Sequence, residues 1–456
     1  MTISTRQLFG TDGIRGVAGE YPLTAESTFA IGRALGHALK QKQSTVRVVI
    51  GQDTRDSSGW IADSVTQGLV ASGCEVESAG VITTPGVAYL ARSRKFAAGV
   101  VISASHNPWT DNGIKVFSGS GFKLPDAEEL AIEQEIFALL KNPSGAHPSD
   151  THSLPGDEEL RRAYIEWLAA NVHADLSYLR VLVDCANGAA TAEAPELFRE
   201  CGVEEATYSN VHPNGKNINE HCGALHPDQV AAAIAAMRGE FDLGVTFDGD
   251  ADRALFSDAD GHVINGDGVL LLIARDMQAR GVLTNSVVVG TTMSNMGLEV
   301  ALRDAGIRLL RANVGDKYVL EEMQKTGAIL GGEQSGHIIF RDGDATTGDG
   351  LLTALRVMEV MARTGRSLAN LVADLKVFPQ TIINVRVRDK VPFAQVPEIR
   401  QRIAAAEEEL NGNGRVVVRY SGTEALARVM VEAATEEKVK TLAESIAGAI
   451  RNNLGV

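Results

Sequence analysis

Cysteine is scarce in this chain. Four residues, Cys74, Cys185, Cys201 and Cys222, are spread over 456 positions, none at Cys-x-x-Cys spacing. That is no disulfide framework, so a reducing compartment, the cytoplasm, is the expected setting. Positive charge is also in deficit: 43 Lys and Arg against 58 Asp and Glu leave a formal net charge of −15. A sequence-independent grip on nucleic acid needs a basic face, which excludes that class. Phosphate ligands are not excluded, because local arginines, lysines or a metal can offset a global charge. No run of about 18 apolar residues occurs, so no membrane span is expected. Arg6 and Asp12 fall where a signal peptide would need its apolar core, so none is expected at the start. The glycine-rich stretch Gly10–Gly16 is not followed by Gly-Lys-Ser/Thr, which excludes a Walker loop there.

What is present is an ordinary globular balance, 44% hydrophobic and 22% charged, and a recurring unit. Ser27 to Lys40 reads as an amphipathic helix with Phe29, Ile31, Leu35 and Leu39 on its apolar side. Val46 to Ile50 reads as a strand, Asp53–Gly59 as a polar loop, and Trp60 to Ser72 as a helix ending at Gly73, with a strand starting near Cys74. The unit returns at Val181–Gly188, with a helix to Glu200 and then Gly202-Val203. It returns again at Val287–Gly297, with a helix through Leu302 and then Gly306-Ile307. Units spaced by about 100 residues or more predict three related α/β domains, with parallel strands joined by right-handed crossovers. Breaks are expected in the proline-rich Lys141–Gly156, near Ser257–Gly261, and near Lys376–Pro379, giving domains 1–153, 154–256, 257–374 and 375–456. The last combines strands at Thr381–Val387, Arg415–Arg419 and Ala427–Glu432 with helices at Val391–Leu410 and Glu436–Asn452, a small α+β layer.

Chemistry gathers where apolar strands end. Val100-Val101-Ile102 runs into Ser103-Ala104-Ser105-His106-Asn107-Pro108. In open α/β sheets ligands bind at that end of a strand, and a hydroxyl followed by an imidazole on a rigid turn is a candidate nucleophile. Alone, the stretch suits a polar turn equally well. Leu243–Phe247 likewise leads into Asp248-Gly249-Asp250-Ala251-Asp252-Arg253. Three carboxylates at alternating positions repel one another; a hard divalent cation relieves this, and oxygen ligands select Mg²⁺ or Ca²⁺. An EF-hand would need Gly and Glu where Arg253 and Ala259 stand, so it is excluded, leaving a solvated acidic loop as the rival. Three protein oxygens leave positions open for a phosphate on the same metal. Three weaker elements remain. Backbone N–H groups of Gly10–Gly16 and Arg15 suit an anion, or form a plain turn. Glu333 and Ser335 on a glycine loop suit two neighbouring sugar hydroxyls, or a turn with a solvated Glu. Arg419-Tyr420-Ser421-Gly422-Thr423-Glu424 with Arg428 suits a phosphate.

In this order the motifs Ser103–Pro108, Asp248–Arg253, Gly332–His337 and Arg419–Thr423 resemble those of the α-D-phosphohexomutase family, and the resemblance covers essentially the whole chain. Phe9–Gly16, Met293–Leu298, Gly332–His337 and Thr346–Gly350 are similar to its bacterial branch acting on glucosamine phosphates. Departures are Tyr420 and Ala425 in the last motif and Ala251 where glycine is also common. The resemblance implies three related α/β domains with mixed or parallel sheets, followed by a smaller α+β C-terminal domain, around one central cleft. It implies an isomerase that interconverts glucosamine 6-phosphate and glucosamine 1-phosphate through a phosphorylated Ser105 and a glucosamine 1,6-bisphosphate intermediate, feeding UDP-N-acetylglucosamine and cell-wall synthesis. Mg²⁺ is expected on Asp248, Asp250, Asp252 and the phosphate of Ser105. Lys115 is implied as general acid/base, its pKa lowered by neighbouring cations. Arg15 and Arg253 would steady the moving phosphoryl group, and His106 would order the loop or aid proton transfer. Glu333 and Ser335 would bind sugar hydroxyls. Arg419, Ser421, Gly422, Thr423 and Arg428 would grip the phosphate that is not reacting, with the last domain hinging. The implied partner is a small-molecule sugar phosphate, with no nucleic acid and no membrane, and with room for a homodimer. Competing readings are a phosphomannomutase or phosphoglucomutase, a phosphatase using Asp248 and Asp250, and a non-enzymatic sugar-phosphate-binding protein.

Overall fold

A short apolar strand, Ala98–Ile102, is buried at every position and anchors the first of four sheets. Burial on both faces is what a near-continuous apolar run requires. The computed structural model describes residues 7–141, 154–341, 343, 345–421 and 425–456. The sheet order is Phe9–Gly10, Gly13–Val17, Asp111–Ser118, Ala98–Ile102, Arg47–Gln52 and Glu75–Val81. The last three strands are parallel and the rest antiparallel. Side chains alternate between the two faces. Val48, Ile50, Val100 and Ile102 join the core made with helices Ala25–Lys40 and Ser58–Ala71. Val49 and Val101 join a second core with helices Thr84–Ser93 and Glu158–Ala170.

The second sheet runs Val263–Ile264, Ala254–Asp258, Leu243–Phe247, Arg180–Asp184, Glu205–Ser209. Arg180–Asp184 is parallel to both neighbours, as a crossover through helix Ala190–Glu200 demands. The break expected at Ser257–Gly261 is displaced. Ser257 and Asp258 pair with Gly244 and Leu243, and Val263–Ile264 extends the same sheet, so it runs past residue 256. The third sheet is Arg308–Ala312, Val287–Thr291, Leu330–Gly332, Ile338–Phe340. The fourth is a three-stranded antiparallel layer, Gln380–Arg386, Leu426–Ala433, Gly414–Tyr420, backed by helices Pro397–Leu410 and Glu436–Leu454. Three α/β layers with mixed sheets and a smaller α+β layer are therefore present, as expected.

The chain divides into two compact units: the residues up to Met293 with Leu310–Val372, and Ser294–Leu309 with Ala373–Val456. Helix Met296–Asp304, expected within the third domain, thus packs with the C-terminal layer. The Asn295 side-chain amide donates to the Phe378 carbonyl (3.0 Å) and to Oε1 of Glu432 (3.1 Å), both buried. Most of the expected Lys141–Gly156 linker lies outside the described residues. Among the described residues no helix is long and apolar enough to cross a membrane.

Candidate active site

The strand Ala98–Ile102 delivers Ser105 to its carboxyl end, as a parallel strand should. Ser105 is buried and takes a left-handed backbone conformation, φ 55°. Its hydroxyl donates to Oδ2 of Asp248 at 2.5 Å and lies 3.2 Å from Nδ1 of His106. Its amide donates to the Ser103 hydroxyl at 2.9 Å, which donates to Asp53 at 2.7 Å. Two elements far apart in sequence, the serine loop and the aspartate loop, are thereby brought into contact. The contact needs Gly249: a Cβ there would stand 2.5 Å from the Ser105 carbonyl oxygen.

Asp248, Asp250 and Asp252 are buried, and one oxygen from each lies within 4.8 Å of the others. Burial and mutual repulsion push the Asp248 and Asp250 carboxyls up from their ordinary range. Burial acts the same way on Asp252, but Lys115, His337 and Arg253 outweigh it and hold that carboxyl low. Oδ1 of Asp250 and Oδ1 of Asp252 are buried with no hydrogen-bond partner among the described residues. Orphaned anionic oxygens are costly. An all-oxygen donor set with unpartnered atoms fits a hard divalent cation.

Lys115 is buried on strand Asp111–Ser118, 2.7 Å from Asp250, 3.1 Å from Asp252 and 3.2 Å from Asp12. Burial favours the neutral amine, yet Asp12, Asp250 and Asp252 together lift its pKa well above the ordinary value. The expected downward shift is thus corrected: carboxylates face Lys115 and outweigh the cation Arg15. Lys115 stands as an ammonium. His106 moves the other way. Burial and the cations Arg253 and Arg15 push its imidazole down to about 4, so it is neutral at pH 7.

A cavity of about 410 Å³ opens beside these groups, lined by Asp12, Gly13, Arg15, His106, Asp252, Arg253, Gly315, Asp316, Glu333 and His337 among others. Its volume suits a small polar ligand. Ser105 and Asp248 are not among the lining residues, but Ser105 bonds to Asp248 and touches His106, which is one of them. Arg15 reaches Oδ1 of Asn107 at 3.3 Å and pairs with Asp12. Arg253 lies 3.9 Å from Asp248 and 3.8 Å from Asp252. Glu333 accepts the Gly315 amide at 3.0 Å, while Ser335, on the same turn, is exposed and outside the lining. The stretch Gly10–Gly16 is a hairpin, Phe9–Gly10 against Gly13–Val17, rather than an open anion loop, with Gly13 at φ 85° directly against the Ile114 carbonyl.

In the second unit Arg419 and Arg428 face one another as register partners on adjacent antiparallel strands. Ser421 is buried, and its carbonyl accepts Nζ of Lys390 at 2.7 Å. Gly422 and Thr423 lie outside the described residues. Tyr420 has a structural role: its ring stacks on Phe393, centroids 4.3 Å apart, and its hydroxyl donates to the Val391 carbonyl at 2.5 Å. Sequence reasoning missed Asp12, Lys123 and Asp316, whose carboxylates Lys123 bridges at 2.6 Å each, and the supports Arg55, Thr84 and Asn219. Thr84 donates its amide to the Asp250 carbonyl at 3.0 Å and its hydroxyl to the Asp250 carboxylate. Arg55 lay in view within a polar loop after a strand, the position from which loops build sites.

Family models of phosphoglucomutase/phosphomannomutase match in order: alpha/beta/alpha domain I over residues 6–142, domain II over 162–261, domain III over 265–378, and the C-terminal domain over 382–449. The phosphoglucosamine mutase of Koribacter versatilis is 61% identical over 454 residues, covering 99% of this chain and 98% of that protein. That of Solibacter usitatus is 52% identical over 450 residues, 99% of both. In fold, a phosphoglucomutase/phosphomannomutase family protein from Burkholderia thailandensis superposes with a TM-score of 0.80 at 24% identity, over 98% of this chain and 99% of that one. An N-acetylphosphoglucosamine mutase of Aspergillus fumigatus, solved with GlcNAc-6P and magnesium, gives 0.63 at 18% identity, over 98% and 96%. With four domain models matched in sequence order and close relatives aligned end to end, this chain belongs to the phosphoglucomutase/phosphomannomutase family.

Proposed function

We propose that the chain is a phosphoglucosamine mutase, moving phosphate between O6 and O1 of glucosamine through Ser105. The observation that carries this reading is the Ser105 hydroxyl, buried and hydrogen-bonded to the aspartate cluster at the edge of a cavity that carries Arg15 and Arg253. Relatives at 61% and 52% identity that share its whole length support the amino-sugar choice.

In the resting enzyme Ser105 carries a phosphoryl group. Asp248, Asp250 and Asp252 hold Mg²⁺, which supplies charge neutralisation for the transferring phosphoryl oxygens. Arg15 and Arg253 line the path and steady the same charge. The bond from phosphorus to Ser105 Oγ breaks as one forms to O1 of glucosamine 6-phosphate. The O1 proton leaves and Ser105 Oγ takes one up. Lys115, held as an ammonium, supplies that proton and then receives the one released. Neutral His106 orders Ser105 Oγ. The bisphosphate turns, returns its 6-phosphate to Ser105, and glucosamine 1-phosphate leaves. Glu333 binds sugar hydroxyls at the cavity wall, with Ser335 beside it. Arg419, Ser421 and Arg428, with Gly422 and Thr423, hold the non-reacting phosphate. We also propose the domain divisions 1–153 and 375–456 at the two ends, with the middle division moved to about residue 264 by the run of the second sheet.

Intact mass with peptide mapping tests this. After incubation with glucosamine 1,6-bisphosphate, Ser105 is expected to carry one phosphate and to lose it to excess glucosamine 6-phosphate. Turnover with Ser105 unmodified would overturn the nucleophile and favour the phosphatase reading.

A further inference from the structure

We infer that Asn219 is a positioning residue that clamps the carbonyl of the nucleophile and sets Ser105 against the aspartate loop. This rests on the reading that Ser105 is the phosphorylated group. No motif singled out by sequence reasoning contains Asn219.

Asn219 belongs to the second α/β layer. It takes φ 58°, and its own amide donates to the Ala186 carbonyl at 3.0 Å, so its backbone is tied to the turn after strand Arg180–Asp184. Its side chain crosses to the first layer. Nδ2 donates to the Ser105 carbonyl at 2.9 Å and to the Asn107 carbonyl at 3.2 Å. The same two carbonyls accept Nη2 of Arg55, each at 2.9 Å. Arg55 also donates to Asp111 at 3.1 Å and to Pro108, and its Nε pairs with Asp53 at 2.8 Å, both side chains fully buried. The serine loop is therefore gripped by its carbonyls from two sides. Arg55 grips it from within its own layer, and Asn219 from the layer that carries the metal-type aspartates.

The two grips do different work. Arg55 and Asp53 shape the loop itself, because every partner lies in the first layer. Asn219 supplies a tie between layers next to the reacting atoms. Ser105 holds a left-handed backbone that L-residues rarely adopt, so its carbonyl direction must be imposed from outside. Asn219 imposes it beside Gly249, which lies against both groups: a Cβ there would stand 2.5 Å from the Ser105 oxygen and 3.0 Å from Asn219 Nδ2. Oδ1 of Asn219 is buried with no hydrogen-bond partner among the described residues. The amide is thus held for its donor end alone. Reach between phosphorus, Ser105 and the Asp248 group is an alignment problem, and a misplacement of about 1 Å costs about 100-fold in rate.

The test uses the full-length enzyme and Asn219→Asp, which keeps shape and removes the donor, with Asn219→Ala as a second variant should the first not fold. Readouts are kcat and KM for glucosamine 6-phosphate, the single-turnover rate of Ser105 phosphorylation by glucosamine 1,6-bisphosphate, and Mn²⁺ affinity. The expected result is a fall of about 30- to 100-fold in kcat and in the phosphorylation rate, with KM and Mn²⁺ affinity within about twofold of the parent. Rates within about threefold of the parent would overturn the clamp. So would a KM or Mn²⁺ affinity that shifts by the same factor as kcat, because Asn219 would then act on ligand or cation binding. A parent enzyme whose Ser105 takes no phosphate overturns the functional reading, and the clamp with it; a phosphorylated parent with an equally fast variant overturns the clamp alone.

Discussion

Glu193 is a carboxyl with no exposed surface, on helix Ala190–Glu200. Oε1 accepts the Thr83 amide at 3.3 Å, and Oε2 has no partner among the described residues. Burial pushes the group up to about 8, against the Thr83 amide and Arg161, with Asp349 adding repulsion. An unfolded glutamate ionises at about 4.3. Between those values the folded chain keeps a proton that the unfolded chain has lost. Stability from this group is complete below about pH 4.3 and falls as pH rises, until the folded group itself ionises near 8. Glu193→Gln removes the titration while keeping the acceptor for Thr83. The variant is expected to melt above the parent at pH 8.5, by up to about 4 kcal/mol of stability, and to match it at pH 5. Melting curves across pH 5 to 8.5 check this. Asp349, pushed up to about 6 by burial despite the amide of Leu352 and the hydroxyl of Tyr164, will leave a smaller slope below pH 6 in both proteins. Equal differences at both pH values would assign the proton elsewhere.

At the scale of elements, two loops at strand ends meet and neither is settled alone. The aspartate loop concentrates buried negative charge that Lys115 offsets only in part. A divalent cation relieves the burial and mutual repulsion that push the Asp248 and Asp250 carboxyls up, so its binding is expected to strengthen as pH rises through their ionisation. At about 100-fold excess over its dissociation constant, Mg²⁺ is expected to add about 2.7 kcal/mol of stability. Asp250→Asn together with Asp252→Asn should abolish the shift, and chelation should reverse it in the parent. Thermal melts with Mg²⁺ and with EDTA decide the matter: an equal Mg²⁺ shift in parent and double variant would move the cation elsewhere. The strands feeding both loops were legible because their signals are local. Leu243–Phe247 is apolar but for Thr246 and is a strand over that same span. Val100–Ile102 is β-branched and ends at Ser103. What was not legible depends on which charges face each other. The pKa direction of Lys115 follows from Asp12 and Asp250, brought in from other elements, and Arg55 and Asn219 act on carbonyls more than 50 and 100 residues away. Nothing in a local window reports such partners. The same holds for helix Met296–Asp304, whose spacing marks a helix but not that it packs with the C-terminal layer.

For the whole molecule, the division into two compact units has a thermodynamic consequence. The second unit has its own apolar core, with Val385, Ile399, Leu410, Val429, Val431, Ile446 and Ile450 buried around its three-stranded sheet. Its buried Glu432 is satisfied internally, by Arg415 at 2.8 Å and by the Asn295 side chain and the Met296 amide. A unit with its own core can melt on its own, so calorimetry of the full chain is expected to resolve two transitions. The one with the larger enthalpy belongs to the first unit, because enthalpy scales with residues unfolded. The three aspartates, Lys115 and the lined cavity all lie in that first unit. Mg²⁺ is therefore expected to raise the larger transition and leave the smaller one in place, since a ligand stabilises only what it binds. Phosphate-bearing sugar should move the smaller transition if Arg419 and Arg428 grip it as proposed, and Arg428→Ala should remove that shift while leaving the Mg²⁺ shift intact. A single transition that moves as one body with Mg²⁺ would mean that the units unfold together and that two separate cores do not make two cooperative units here.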